Sequence, residues 1–83
     1  MTQYRYIATF YAHFGATRFQ KQLKEKGIDG KMMPVPRDLS SSCGTCVCFD
    51  SDSFEVADPR HEIEQVVRVT PTGYACVYRA EDS

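Results

Sequence analysis

The chain has 83 residues, 42% hydrophobic and 25% charged, which are the proportions of a globular protein with too little length for two independent cores. Its Lys and Arg number 10 and its Asp and Glu 11, so the net charge of −1 gives no cationic excess to draw it to phosphate backbones or anionic membranes. A single domain over residues 1–83 is expected, with neither nucleic acid nor a membrane as partner.

Tyr4-Arg-Tyr-Ile-Ala-Thr-Phe10 is rich in aromatic and β-branched residues, with Tyr4, Tyr6, Ala8 and Phe10 on one face, and predicts a first strand. Between His13 and Lys26 the period changes. Ala12, Ala16, Phe19 and Leu23 recur at helical spacing, with Arg18, Lys21, Lys24 and Glu25 on the other side, and Gly27 supplies a left-handed cap. Lys31-Met-Met-Pro-Val35 predicts a short edge strand, because Pro34 and Pro36 cannot donate ladder hydrogen bonds.

A polar loop follows from Arg37 to Gly44, and then a third strand, Thr45-Cys-Val-Cys-Phe49. Alternation puts Thr45, Val47 and Phe49 on one face and Cys46 and Cys48 on the other. Asp50 to Val56 reads as a turn. Asp58-Pro59 offers a cap and a first-turn proline for a second helix continuing through Ile63, Val66 and Val67, although Val66, Val67 and Val69 are β-branched and suit a strand as well. Thr70-Pro-Thr-Gly73 breaks that element, and Tyr74-Ala-Cys-Val-Tyr78 reads as the last strand.

The order βαββαβ predicts an α+β fold, a ferredoxin-like two-layer sandwich whose four-stranded antiparallel sheet carries two helices on one face. A right-handed first crossover makes the first two strands parallel. The Arg37 to Gly44 loop then falls at the end of the sheet where the first helix starts. Cys43 is expected there, near Tyr11 to Gly15 and near the Thr70 to Gly73 turn. The uncovered sheet face invites a homodimer.

Residues 1–8 show no signal-peptide pattern, and no run approaches the ~18 apolar residues of a spanning helix, so a cytoplasmic protein is expected. In a reducing compartment, Cys43, Cys46, Cys48 and Cys76 point to catalysis, redox work, metal binding or plain packing rather than to structural disulfides. Cys43 follows three serines and precedes Gly44. That setting offers hydroxyls, backbone amides and close approach to a bound group, and Arg37, His13 and the start of the first helix are candidates for stabilising a thiolate. Cys43-Gly-Thr-Cys46 has the C-x-x-C spacing of redox pairs and zinc half-sites. As a redox pair it makes Cys46 the resolving thiol, although it leads into a strand where such pairs usually begin a helix. As a metal site it needs completion from Cys48, Cys76, His13 or His61.

Pro34-Val-Pro36-Arg37 followed by Leu39-Ser40-Ser41-Ser42-Cys43-Gly44, behind a strand ending in Thr9-Phe10 and a helix, resembles the signature of a small family described as selenium/sulfur carrier-like proteins. The likeness spans nearly the whole chain. It implies a carrier rather than a catalyst, one that takes sulfur or selenium on Cys43 from a donor protein and hands it to an acceptor protein without a cofactor. It implies that Arg37, Ser41, Ser42 and Gly44 frame the reactive cysteine. Two departures stand out: Cys46 and Cys48 replace non-cysteine strand residues, and the helix begins His13-Phe-Gly without a Ser or Thr cap. The alternatives left by the residues themselves are a metal-binding or thiol-redox module built on Cys43 and Cys46, and a small dimerising interaction domain.

Overall fold

A computed structural model describes residues 3–39, 44–52 and 62–80. Its elements in chain order are β1 (Tyr4–Phe10), α1 (His13–Glu25), β2 (Lys31–Pro34), β3 (Thr45–Ser51), β4 (Ile63–Thr70) and β5 (Gly73–Arg79). The strands form one five-stranded sheet in the order β2-β3-β1-β4-β5, and every neighbouring pair is antiparallel.

The expected four-stranded, two-helix ferredoxin-like sandwich is therefore wrong. Residues assigned to the second helix, Ile63, Val66 and Val67, lie in β4, hydrogen-bonded to the central strand on one side and to β5 on the other. The physical cause is the β-branched run Val66, Val67, Val69. Its stiff side chains suit a pleated surface, and β4 is clamped by two partners where a short helix would have had one packing face. Pro71-Thr72 then makes a two-residue connection between paired Thr70 and Gly73, closing a β4-β5 hairpin. The Asp58-Pro59 cap expected for that helix lies outside the described residues.

The first two strands are parallel, as expected. Both β1 and β2 pair antiparallel with β3, so they run parallel to each other with β3 between them. Helix α1 has no side-chain cap at Ala12, in keeping with the missing Ser or Thr. It ends in a Schellman arrangement, with Ile28 N–H donating to Leu23 O at 2.8 Å and Gly27 N–H to Lys24 O at 3.0 Å. Gly27 takes φ +79°, the left-handed value that such a cap needs.

One face of the sheet meets α1. Ala16, Phe19 and Leu23 pack onto Tyr6, Ala8, Phe10, Val47, Phe49, Ile63 and Val66, and the Phe19 ring stands 5.3 Å from Phe10 and 5.7 Å from Phe49. Burying each such aromatic stabilises the fold by roughly 1.5–3 kcal/mol. Gly30 leaves room for the helix, since a Cβ there would come within 2.8 Å of Leu23 Cδ1. On the opposite face Ile7, Cys46 and Val67 are buried beneath Met33, Val35, Leu39, Cys48 and Tyr74. The face expected to be uncovered is thus partly covered, with Val35 and Leu39 from the segment after β2 packed onto it.

Candidate functional site

The chain leaves the edge strand β2 at Pro34 and must return to begin β3. Val35 N–H donates to Gly44 O at 3.1 Å, which closes the loop at its neck, and Leu39 N–H donates to Pro36 O at 3.0 Å, which bends Pro36 to Leu39 into a turn. Arg37 and Asp38 form the exposed corner of that turn. Val35 and Leu39 point the other way, onto Ile7, Cys46 and Val67. Leu39 is thus the apolar foot that holds an otherwise polar loop against the sheet.

The register fixes where the neck lies. Pro34 pairs with Thr45, and Thr9 with Cys46, so Gly44 opens β3 at the end of the sheet where β1 gives way to α1. Gly44 is exposed with φ +77°, a conformation costly for any residue bearing a Cβ, and nothing lies within 4 Å of where that Cβ would be. Of the residues singled out in sequence, the structure describes His13, Arg37, Gly44, Cys46, Cys48 and Cys76; Ser41, Ser42 and Cys43 lie outside the described residues, as does His61. The Thr70 to Gly73 turn stands at the opposite end from Gly44, because β4 runs antiparallel to β1 and pairs Arg68 with Tyr6. That part of the expected neighbourhood does not hold for the loop's neck.

The three described cysteines are free thiols on one sheet face, but in different surroundings. Cys46 is fully buried and its Sγ–H donates to Pro34 O at 3.7 Å. Cys48 is half-buried; burial pushes its thiol up, Asp50 adds to the rise, and Arg5 and Lys31 oppose it. Cys76 is exposed on β5, with its Sγ 3.4 Å from Tyr78 O. Pairing of Ile7 with Cys48 and with Val67, and of Val67 with Cys76, puts Cys48 and Cys76 in one row across the sheet with two strands between them. Among the described residues no group of three or more His, Cys, Asp or Glu is placed to hold a metal ion.

Two residues that sequence reasoning missed complete the loop's anchorage. The Tyr74 hydroxyl donates to Asp38 Oδ1 at 3.0 Å, and this bond raises the Tyr74 phenol above its ordinary value. Tyr74 reads in sequence as a packing residue, and nothing local links it to Asp38. Leu39 did carry a signal: a large apolar side chain in a run of Arg, Asp and Ser.

Among the described residues no helix is long and apolar enough to cross a membrane. No curated protein and no solved structure matches the chain. The family resemblance read in the sequence is borne out by a family model that matches residues 5–79, from β1 through β5. The chain belongs to the family described as "Putative Se/S carrier protein-like".

Proposed function

We propose that the protein carries sulfur or selenium on Cys43, receiving it from a donor protein and passing it to an acceptor. The observation that carries this reading is the family membership over residues 5–79. The anchorage of the loop supports it, because Val35–Gly44 pairing and the Tyr74–Asp38 bond fix both sides of the segment that contains the cysteine. A carrier needs its thiol on a segment held at defined points yet reachable from solvent.

In the proposed step the Cys43 thiolate attacks the outer sulfur of a persulfide on the donor. A new sulfur–sulfur bond forms at Cys43, the donor's own sulfur–sulfur bond breaks, and the donor cysteine leaves as a thiolate, with no net oxidation. A selenium atom held in the same way transfers by the same exchange. Ser41 and Ser42 hydroxyls and the Arg37 guanidinium serve as donors to the anionic terminal atom. Gly44 lets the backbone pass close to it.

Cys46 gives this reading a second step. Attack of the Cys46 thiol on a Cys43 persulfide forms a Cys43–Cys46 disulfide and releases hydrogen sulfide, so the same pair supports redox resolution once Cys46 is uncovered. Its burial beneath Val35 and Leu39 shields it from outside reagents until then.

The test is intact mass spectrometry after incubation with a cysteine desulfurase and cysteine, and separately with a selenium donor. Gain of one sulfur or selenium atom on Cys43, lost in Cys43→Ser and reversed by thiol reductant, is expected. No gain with either donor overturns the proposal.

A further inference from the structure

Charge is unevenly placed on this nearly neutral chain. From His13 to Lys31 there are five basic side chains, Arg18, Lys21, Lys24, Lys26 and Lys31, against Glu25 and Asp29, a net +3. With a total of −1, the rest of the chain sums to −4. The positive half is the helix and its exit.

Phe14, Thr17, Lys21 and Lys24 are exposed on α1, and their separations of three, four and three residues stack them along one side of it. Beside the helix's second half, where the chain turns through Gly27 to Gly30, a half-open groove of about 620 Å³ is lined by Thr17, Gln20, Lys21, Lys24, Ile28 and Asp29. Its size falls within the range of ligand clefts. Ile28 gives it an apolar floor, and the Gln20 side-chain amide, donating to Gly30 O at 2.8 Å, fixes the wall formed by the exit turn. Among the described residues, neither Lys21 nor Lys24 takes part in an ion pair. At the other end of the stripe Phe14 is 59% exposed, with the Arg18 guanidinium 5.6 Å from its ring centroid and Arg18 Nε held by Glu62 at 3.4 Å. That end is the one where Gly44 opens β3.

From this arrangement we infer that the Phe14 to Lys24 side of α1 and the adjoining groove form a docking surface for an acidic segment of a protein partner. Carboxylates one turn apart on the partner meet Lys21 and Lys24, an apolar side chain enters over Ile28, and Phe14 anchors the end nearest the Arg37 to Gly44 loop. Asp29 in the lining and the apolar floor favour carboxylates separated by hydrophobic side chains over the unbroken charge of a phosphodiester chain. An exposed aromatic beside a charged rim is the composition of an interface hot spot. The surface is independent of what Cys43 carries, so its test is independent too.

The probe is a synthetic Glu-rich peptide with interspersed leucines, titrated into the full nitrogen-15-labelled chain. Amide shifts are expected to concentrate at Thr17, Gln20, Lys21, Lys24 and Ile28, and binding is expected to weaken with added salt. The exposed double substitution Lys21→Glu with Lys24→Glu should weaken binding by at least about tenfold. Phe14→Ala should weaken it several-fold, with the circular dichroism of both variants unchanged. Cys43→Ser should bind as the parent does, which separates this result from failure of the sulfur-transfer reading. Shifts scattered over Arg68 and Arg79 as well, unchanged binding by the double variant, or tighter binding of an RNA oligonucleotide of equal charge to the same residues would each overturn the inference.

Discussion

The Tyr74 hydroxyl donates a 3.0 Å hydrogen bond to Asp38 Oδ1, and so ties β5 at one edge of the sheet to the loop that leaves β2 at the other. The neutral phenol is the donor, and the bond raises the Tyr74 pKa above its ordinary value of 10.0. A group whose folded pKa is raised contributes stability that is complete below the unfolded value and is lost as pH climbs through the folded one. Tyr74→Phe should therefore lower Tm modestly at neutral pH, and the gap between variant and parent should close above about pH 10. Parallel thermal melts at neutral and strongly alkaline pH check it; a gap that widens with pH would contradict the assignment.

Gly44 tests the neck of the loop. Alanine at φ +77° costs about 1–2 kcal/mol, with open space around the new methyl and hence no clash to add. A loss of several degrees in Tm is expected for a domain of this size, with Gly44→Asn milder because asparagine tolerates the left-handed region. An alanine variant melting with the parent would mean that the neck relaxes freely.

Gly30 makes a different demand, one of volume. A Cβ there would lie 2.8 Å from Leu23 Cδ1 and 3.1 Å from Val47 Cγ1. Gly30→Ala should destabilise by roughly 1–3 kcal/mol in urea unfolding. Combined with Leu23→Ala it should cost less than the sum of the two, since the shortened side chain vacates the clash.

Thiol accessibility should rank the cysteines by their cover. Among the three described cysteines, iodoacetamide is expected to modify exposed Cys76 first, half-buried Cys48 more slowly because burial raises its thiol pKa, and Cys46 only when the chain opens. Leu39→Ala should speed Cys46 labelling while leaving Cys76 unaffected, as read by peptide mass spectrometry. Equal protection of Cys46 in parent and variant would show that Leu39 is not its cover.

Much of this was legible in the residues themselves. Period-two and period-3.6 patterns located β1, α1 and β3, because each buries a face that its own sequence encodes, the prolines marked β2 as a short edge strand, the run after Gly73 gave the last strand, and Gly27 marked the helix end. The Ile63 to Thr70 segment was not legible in the same way. Asp58-Pro59 suggested a helix, and only the partners on both sides, β1 and β5, resolve the β-branched run into a central strand. In the loop, Gly44 could be read from its residue type as a tight backbone position, and it takes φ +77°. Asp38 and Tyr74 could not, since 36 residues separate them and the contact exists only after the sheet brings β5 beneath the loop.

The position of β1 has a consequence for how the protein is made. It is the first strand in the chain and the middle strand of the sheet, with Tyr6 paired to Phe49 on one side and to Arg68 on the other. A ribosome therefore releases Tyr4–Phe10 long before either partner strand exists, and the helix after it is the only local structure that can shelter its aromatic face. Non-local pairing of this kind slows folding and leaves an apolar strand exposed in the interim. Covering that strand falls to α1, whose Phe19 stands between Phe10 and Phe49 in the finished core.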